Sequence, residues 1–329
     1  MTLPQTYRAY QYEHYGPIEN ELKLQADLPQ KPLAATQVRV KVRSASVNPL
    51  DYKLVEVMGQ MMLGRAPSPE QPFAIGFDGA GEVVEVGSGV KGLKVGDAVY
   101  TSAPSASIGS LAEYWILDEA AVAVKPDNLT FNQAAAVPSV ALTAHAGVTE
   151  HAKLQEGDTI LILGGSSSVG MFVIQFAHAI GARVIATTSS RNVELVKSLG
   201  ADQVVDYTKE KWVDVLLPHS VDAVYDCGVE PTAWNDGAQV VLKKNTGRFI
   251  TILPMAQPVK AAEFGAQLVG FVSVDNGSGE KLAEITKHIE SGKVKPVIDT
   301  VFPFEKALDA FKKLKTGHAQ GKLVVEVHP

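Results

Sequence analysis

The spacing of hydrophobic residues changes twice along this chain. Up to Pro126 they come in short runs set between glycines and prolines. Val38–Val42 (VRVKV) alternates apolar and charged positions, the period of a half-buried strand. Gly79–Gly89 (GAGEVVEVGSG) holds a second strand, Ala98–Tyr100 a third, and Leu111–Leu117 and Ala121–Val124 continue the series. Many short strands at such spacing predict a barrel-like or sandwich module. Met58–Pro72 has no period and reads as a loop, whose methionines serve either as core filler or as a substrate-facing lid.

Beyond Thr130 the apolar runs lengthen. Asn132–Val137 and Val140–Val148 are Ala-rich helical stretches around Pro138. Strand and helix patterns then alternate: strands at Thr159–Leu163, Arg183–Thr188, Gln203–Tyr207, Val221–Tyr225, Gly247–Leu253 and Gln267–Val274, helices at Asn192–Leu199, Trp212–Leu217 and Thr232–Lys244. This predicts an α/β fold with a doubly wound parallel sheet. The remainder returns to mixed character, with helices at Lys281–Ile289 and Glu305–Leu314 and a last strand, Lys322–Val327. The expected organisation is residues 1–129 as a β-rich domain, 130–276 as a nucleotide-binding domain, and 277–329 rejoining the first.

Thr159–Gly181 (TILILGGSSSVGMFVIQFAHAIG) is the centre of the second module. A buried strand ends at Gly164 and Gly165; Ser166, Ser167 and Ser168 follow; from Val169 through Gly170 an apolar helix runs to Gly181. A strand, a small-residue turn and a helix form the first half of a dinucleotide-binding unit, with the pyrophosphate at the helix N-terminus. Gly164-x-x-Ser167-x-x-Gly170 departs from G-x-G-x-x-G, and a ligand-free strand–turn–helix is the alternative.

In such a unit the adenosine ribose meets the end of the second strand, about twenty residues past the turn. That place is Thr187-Thr188-Ser189-Ser190-Arg191-Asn192. No carboxylate occurs from Arg183 to Asn192, whereas hydroxyls and a guanidinium do, a set suited to a 2′-phosphate and hence to NADPH. An ordinary Ser/Asn helix cap with an exposed Arg is the other reading. Tyr207-x-x-x-Lys211 matches the pair of short-chain dehydrogenases but lies too close behind the glycine turn; Tyr207 is better placed near the adenosine.

Composition narrows the classes. A net charge of −6 over 329 residues shows no basic stripe and argues against nucleic acid as partner. Cys227 is the one cysteine, so neither an intrachain disulfide nor a multi-cysteine zinc site can form. No apolar run approaches the roughly 18 residues of a membrane span. The start is polar and aromatic without a leader pattern, so a cytoplasmic protein is expected.

Three ordered segments carry a resemblance: Ser46-Val47-Asn48-Pro49-Leu50-Asp51-Tyr52-Lys53, then Gly76-Phe77-Asp78-Gly79-Ala80-Gly81-Glu82-Val83-Val84-Glu85-Val86-Gly87, then Gly96-Asp97-Ala98-Val99. With Gly109–Tyr114, Leu142–Ala144 and the ending Gly317–Val325, the chain resembles the medium-chain dehydrogenase/reductase superfamily. The nearest branch is the zinc-free quinone oxidoreductases and alkenal/enone reductases. Where zinc enzymes of that superfamily carry Gly-His-Glu, this chain has Gly76-Phe77-Asp78, so no metal is expected.

The resemblance implies a GroES-like first domain, a Rossmann second domain and a cofactor lying in the cleft between them. Asn48, Tyr52, Lys53 and Thr143 would lie near the nicotinamide, and Gly164–Gly170 around the pyrophosphate. Ser189, Arg191 and Tyr207 would face the adenosine phosphate, with Gly321 and Lys322 closing from the tail. Relatives often place a Lys where Asn192 stands. Taken singly, Asn48 and Asp51 could fix a turn around Pro49, and Asp51 is read as structural. Thr143 could cap a helix.

Without a metal to polarise an alcohol or ketone, hydride must reach an acceptor that is already electrophilic, a quinone or an unsaturated carbonyl. Tyr52 or Lys53 could donate a hydrogen bond to the developing enolate, and water could supply the proton. Two other functions fit the same residues: a trans-acting enoyl reductase of a polyketide pathway, and a non-catalytic NADPH-binding protein responding to redox state. Relatives pair through the edge of the nucleotide sheet, so a homodimer through Arg248–Leu253 and Gln267–Val274 is expected.

Overall fold

The computed structural model of the protein describes residues 3–271 and 277–328. The chain divides into two units, one of Met1–Ser139, Asp275–Glu290 and Pro296–Pro329, the other of Val140–Val274 and Ser291–Lys295. The first division falls inside the helix Pro138–Ala146 rather than at 129/130. The short helix Phe131–Ala135 packs on the strands Gln37–Val47 and Asp78–Val86 and so belongs with the β-rich unit.

In the β-rich unit a seven-stranded sheet runs in the order Ile298–Pro303, Lys322–Glu326, Gln37–Val47, Asp78–Val86, Ala98–Ser102, Ala123–Val124, with Tyr114–Asp118 also pairing Gln37–Val47. The late strand Lys322–Glu326 therefore lies inside the sheet, antiparallel to Gln37–Val47 with Leu323 opposite Val47. A three-stranded sheet of Lys23–Pro29, Thr6–Tyr12 and Phe73–Ala74 completes the unit. Tyr10, Tyr12, Val40, Phe304, Phe311 and Leu323 lie in one buried cluster. Tyr10 packs edge-on to Phe304 and donates its hydroxyl to that residue's carbonyl at 3.0 Å.

Met58–Pro72, expected as a loop, contains the helix Gly59–Leu63. It follows directly from the helices Pro49–Lys53 and Leu54–Met58 and ends at Gly64, whose φ of 69° only a glycine adopts readily. The irregular part is confined to residues 65–72.

The second unit carries a six-stranded, wholly parallel sheet. Its order is Gln203–Asp206, Arg183–Thr188, Thr159–Leu163, Ala223–Asp226, Arg248–Thr251, Gln267–Phe271. Strand order reverses beside Thr159–Leu163, the switch point at which open α/β sheets bind ligands. Both faces of the sheet are covered, which is why Ile160–Leu163 and Val184–Ala186 are buried without alternation. Of the two strands expected at a pairing edge, Arg248–Thr251 is interior and only Gln267–Phe271 is outermost; residues 272–274 lie outside the described residues.

Candidate active site

The helix after the turn spans Ser168–Ile180 and buries Gly170 through Ala177. Ser167 is its N-cap, accepting the Gly170 N–H on Oγ at 3.0 Å. Gly181 ends it in the left-handed region. The turn itself is clamped from the neighbouring strand. Gly164 N–H donates to Thr187 Oγ1 at 3.0 Å, Gly165 N–H to the Thr187 carbonyl at 2.8 Å, and Thr188 Oγ1 to Ser166 Oγ at 2.9 Å. Thr187 and Thr188 are thus fully buried supports of the turn, not groups facing a ribose.

The turn is close-packed against the rest of its unit, and it carries open donors. A Cβ on Gly164 would come within 2.9 Å of the Val229 side chain, one on Gly165 within 2.9 Å of Ala186, and one on Gly170 would strike the Gly164 carbonyl. Among the described residues the N–H groups of Ser166, Ser168 and Val169 have no partner. Three half-buried open donors at a helix N-terminus suit an anion of pyrophosphate type. The turn fits a dinucleotide.

Two carboxylates not anticipated as part of this edge frame it. Asp226, at the end of Ala223–Asp226, accepts the Val229 and Glu230 N–H groups at 2.9 and 3.1 Å and the Thr251 hydroxyl at 3.2 Å. It thereby fixes the wall that Val229 makes against Gly164. Burial, and secondarily the Asp226 charge, push the neighbouring Cys227 thiol well up. The other carboxylate is Asp206, opposite Thr188 across the parallel register. It accepts from Ser190 Oγ, Thr208 Oγ1 and Thr208 N, and pairs with Lys209 Nζ at 3.0 Å. Ser189 Oγ, the Arg191 guanidinium and the Tyr207 hydroxyl have no partner among the described residues, and Arg191 and Tyr207 are exposed. Thr143 is half-buried, its carbonyl accepting the Tyr225 hydroxyl at 2.9 Å.

In the β-rich unit the predicted residues divide into two sets. Asn48 follows the strand Gln37–Val47 and caps the helix Pro49–Lys53, its N–H donating to Asp51 Oδ2 at 2.7 Å. Sheet pairing brings Asp78 and Lys322 to the same place. Lys322 Nζ donates to Asn48 Oδ1 at 2.6 Å, to the Val47 carbonyl at 3.2 Å and to Asp78 Oδ2 at 3.4 Å. Asn48 Nδ2 donates to Asp78 Oδ2 at 2.9 Å, and Ser139 N and Oγ donate to Asp78 Oδ1. Asn48, Asp78 and Lys322 are all buried, so this is a closed ionic knot. Gly321 at φ 118° sits where a Cβ would meet the Val297 carbonyl, a packing reason for glycine there.

Asp51 is fully buried beside the knot, and its Oδ1 has no partner. Burial, reinforced by the Asp78 charge and opposed by the Asn48 N–H, pushes its carboxyl up to about 7. Tyr52 and Lys53 differ from these. Both are half-buried, and neither the Tyr52 hydroxyl nor the Lys53 ammonium has a hydrogen-bond partner among the described residues. Lys315 Nζ lies 5.7 Å from the centroid of the Tyr52 ring.

A cavity of about 650 Å³ in the same unit is lined by Tyr7, Arg39, Met62, Arg65, Phe73 and Trp115 among others. It takes Met62, Leu63, Arg65 and Pro72 from the segment expected as a loop and includes none of the predicted site residues. Among the described residues no three His, Cys, Asp or Glu side chains come together as a metal site, and no helix is long and apolar enough to cross a membrane.

Comparison with known proteins matches residues 34–127 to the alcohol dehydrogenase GroES-like domain and residues 199–325 to a family described as zinc-binding dehydrogenase. The chain is 40% identical to the 2-methylene-furan-3-one reductase of Solanum lycopersicum, over 100% of this chain and 81% of the relative. It is 39% identical to the chloroplastic NADPH-dependent alkenal/one oxidoreductase of Arabidopsis thaliana, over 98% and 80%. The solved structure of the quinone oxidoreductase from Coxiella burnetii superposes with a TM-score of 0.84 at 29% identity, covering 98% of this chain and 100% of that one.

Proposed function

The chain belongs to the medium-chain dehydrogenase/reductase superfamily of oxidoreductases, and on that premise we propose that it is an NADPH-dependent reductase of quinones or α,β-unsaturated carbonyls. The observation that carries this reading is the open-donor set of the nucleotide unit: the Ser166, Ser168 and Val169 N–H groups for the pyrophosphate, with Arg191 and Ser189 for a 2′-phosphate. When bound, the reduced nicotinamide supplies the hydride. The substrate class is supported by the relatives, two of which are named for reduction of enones or alkenals and one for quinones. It agrees with Phe77 standing in the place of the ligand histidine that zinc members of the superfamily carry.

On the β-rich unit Tyr52 and Lys53 are the open donors for the charge that develops on the acceptor's oxygen. Asn48 and Lys322, both engaged in the knot, act by holding the backbone from which Tyr52 and Lys53 project. The outermost strand Gln267–Phe271 is the edge through which two copies would pair.

The test is an acceptor panel read by NADPH consumption: an ortho-quinone, a para-quinone, a short 2-alkenal and a vinyl ketone, with simple alcohols and NADP⁺ in the opposite direction. Turnover with at least one conjugated acceptor and none with alcohols is expected. Alcohol oxidation beside no turnover of any quinone or enone would overturn the substrate class.

A further inference from the structure

The edge beyond Arg183–Thr188 carries a negative charge that its own sequence lacks. Asp206 comes from the next strand, is 8% exposed, and has both oxygens occupied. Oδ2 accepts from Ser190 Oγ and lies 3.0 Å from Lys209 Nζ; Oδ1 accepts from Thr208 Oγ1 at 2.6 Å and Thr208 N at 3.1 Å. The hydrogen bonds from Ser190 and Thr208 hold the carboxyl well below its ordinary range, so it is ionised at neutral pH.

A hydroxyl has one proton to donate. With Ser190 and Thr208 donating to Asp206, neither has a proton left for an incoming phosphate, and their oxygens lie 3.1 Å apart. Lys209 is 72% exposed and its charge is therefore screened by water, so it offsets the buried carboxylate only in part. Among the described residues Ser189 Oγ and the Arg191 guanidinium, on either side of Ser190, remain free to bind an anion, as does the Tyr207 hydroxyl.

Resting on the reading of this edge as the adenosine side of a nicotinamide dinucleotide site, we infer that Asp206 is a specificity-determining residue that limits affinity for the 2′-phosphate. It withholds the Ser190 and Thr208 hydroxyls and sets a fixed negative charge beside the segment that carries Arg191. The hydroxyl-rich sequence Ser189-Ser190-Arg191 thus offers a phosphate fewer donors than it contains. Asn in place of Asp206 keeps an acceptor oxygen and the size of the side chain, removes the charge and releases one hydroxyl.

Calorimetry with adenosine 2′,5′-bisphosphate and adenosine 5′-monophosphate tests this, since the two probes differ only in the 2′-phosphate. Asp206→Asn is expected to tighten the bisphosphate by about tenfold and to leave the monophosphate within about twofold. Ser190→Ala should leave both probes within about twofold, because its proton is not on the phosphate, whereas Arg191→Ala should weaken the bisphosphate alone. An unchanged or lowered bisphosphate preference in Asp206→Asn overturns the inference, as does a selective loss in Ser190→Ala. The Ser190 result decides the matter even if Asp206→Asn does not fold. Wild-type protein that binds neither nucleotide overturns the dinucleotide reading itself, and the inference with it.

Discussion

Two polar clusters in this protein end in opposite states. Around Asn48, Asp78 and Lys322, buried donors and acceptors find one another: an ammonium with three acceptors, an amide bound at both ends, a carboxylate with both oxygens occupied. Around Gly164–Gly170 and Ser189–Tyr207 the supporting bonds are made, yet among the described residues the Ser166, Ser168 and Val169 N–H groups, the Arg191 guanidinium and the Ser189 and Tyr207 hydroxyls stay open. Burying a polar group without a partner is costly, so a closed knot serves the fold. Donors left open at half-buried positions are what a ligand can use. Motif resemblance cannot separate these states, because it names residues without saying whether their hydrogen-bonding capacity is already taken.

The strongest way to break this contrast is at Lys322. Lys322→Met leaves Asp78 buried without its cation, and denaturant unfolding should show a loss of about 3–5 kcal/mol. Affinity for adenosine 5′-monophosphate, measured on the same sample below its unfolding transition, should not move. A variant of normal stability with impaired nucleotide binding would make the knot part of the site.

Arg191→Ala is the converse. It should reduce NADPH affinity by about 1–3 kcal/mol, the range for a hydrogen bond to a charged group, with unfolding unchanged and NADH binding little altered. Equal wild-type affinities for the two nucleotides by calorimetry would make the segment a helix cap and no more. Tyr52→Phe tests an open donor in the other unit. Its loss should slow turnover about tenfold, or about 1.4 kcal/mol, if the hydroxyl steadies the developing enolate. An unaltered rate removes Tyr52 from the chemistry.

A pH-dependent effect concerns Asp51. Its folded value is raised to about 7, above the value of about 3.9 for an unperturbed aspartate. The unfolded chain therefore gives up this proton first. The stability Asp51 contributes is complete below about pH 4 and declines as the pH rises towards 7, with Asp78 and Lys322 as the charged neighbours. Asp51→Asn keeps an acceptor for the Asn48 N–H and should lose that component. Parallel pH profiles of the unfolding midpoint for wild type and variant would refute the assignment.

Features carried by neighbouring residues were legible in the sequence. The glycine–serine turn, its apolar helix and the stop at Gly181 are local, and each stands where the pattern placed it. The parallel sheet followed from the alternation of short runs with helices. What escaped is non-local. Asp206 reaches the edge beside Ser189–Asn192 through register with Thr188, so the stretch from Arg183 to Asn192, taken alone, shows no carboxylate. Lys322 meets Asn48 only because the late strand pairs with Gln37–Val47. The strand Thr6–Tyr12 went unread for another reason: its inward positions include Tyr10 and Tyr12, which look amphipathic in sequence but are buried.

The interior position of Lys322–Glu326 also bears on the order in which the molecule comes into being. Chains emerge from the ribosome N-terminus first, and domains fold as their sequences become complete. The residues of the nucleotide unit end at Lys295. The β-rich unit, though it begins the chain, needs a strand from far downstream before Asp78 and Asn48 meet their ammonium. During synthesis the sequence of the second unit is therefore complete before that of the first, and Asp78 has no ammonium to close on until Lys322 arrives.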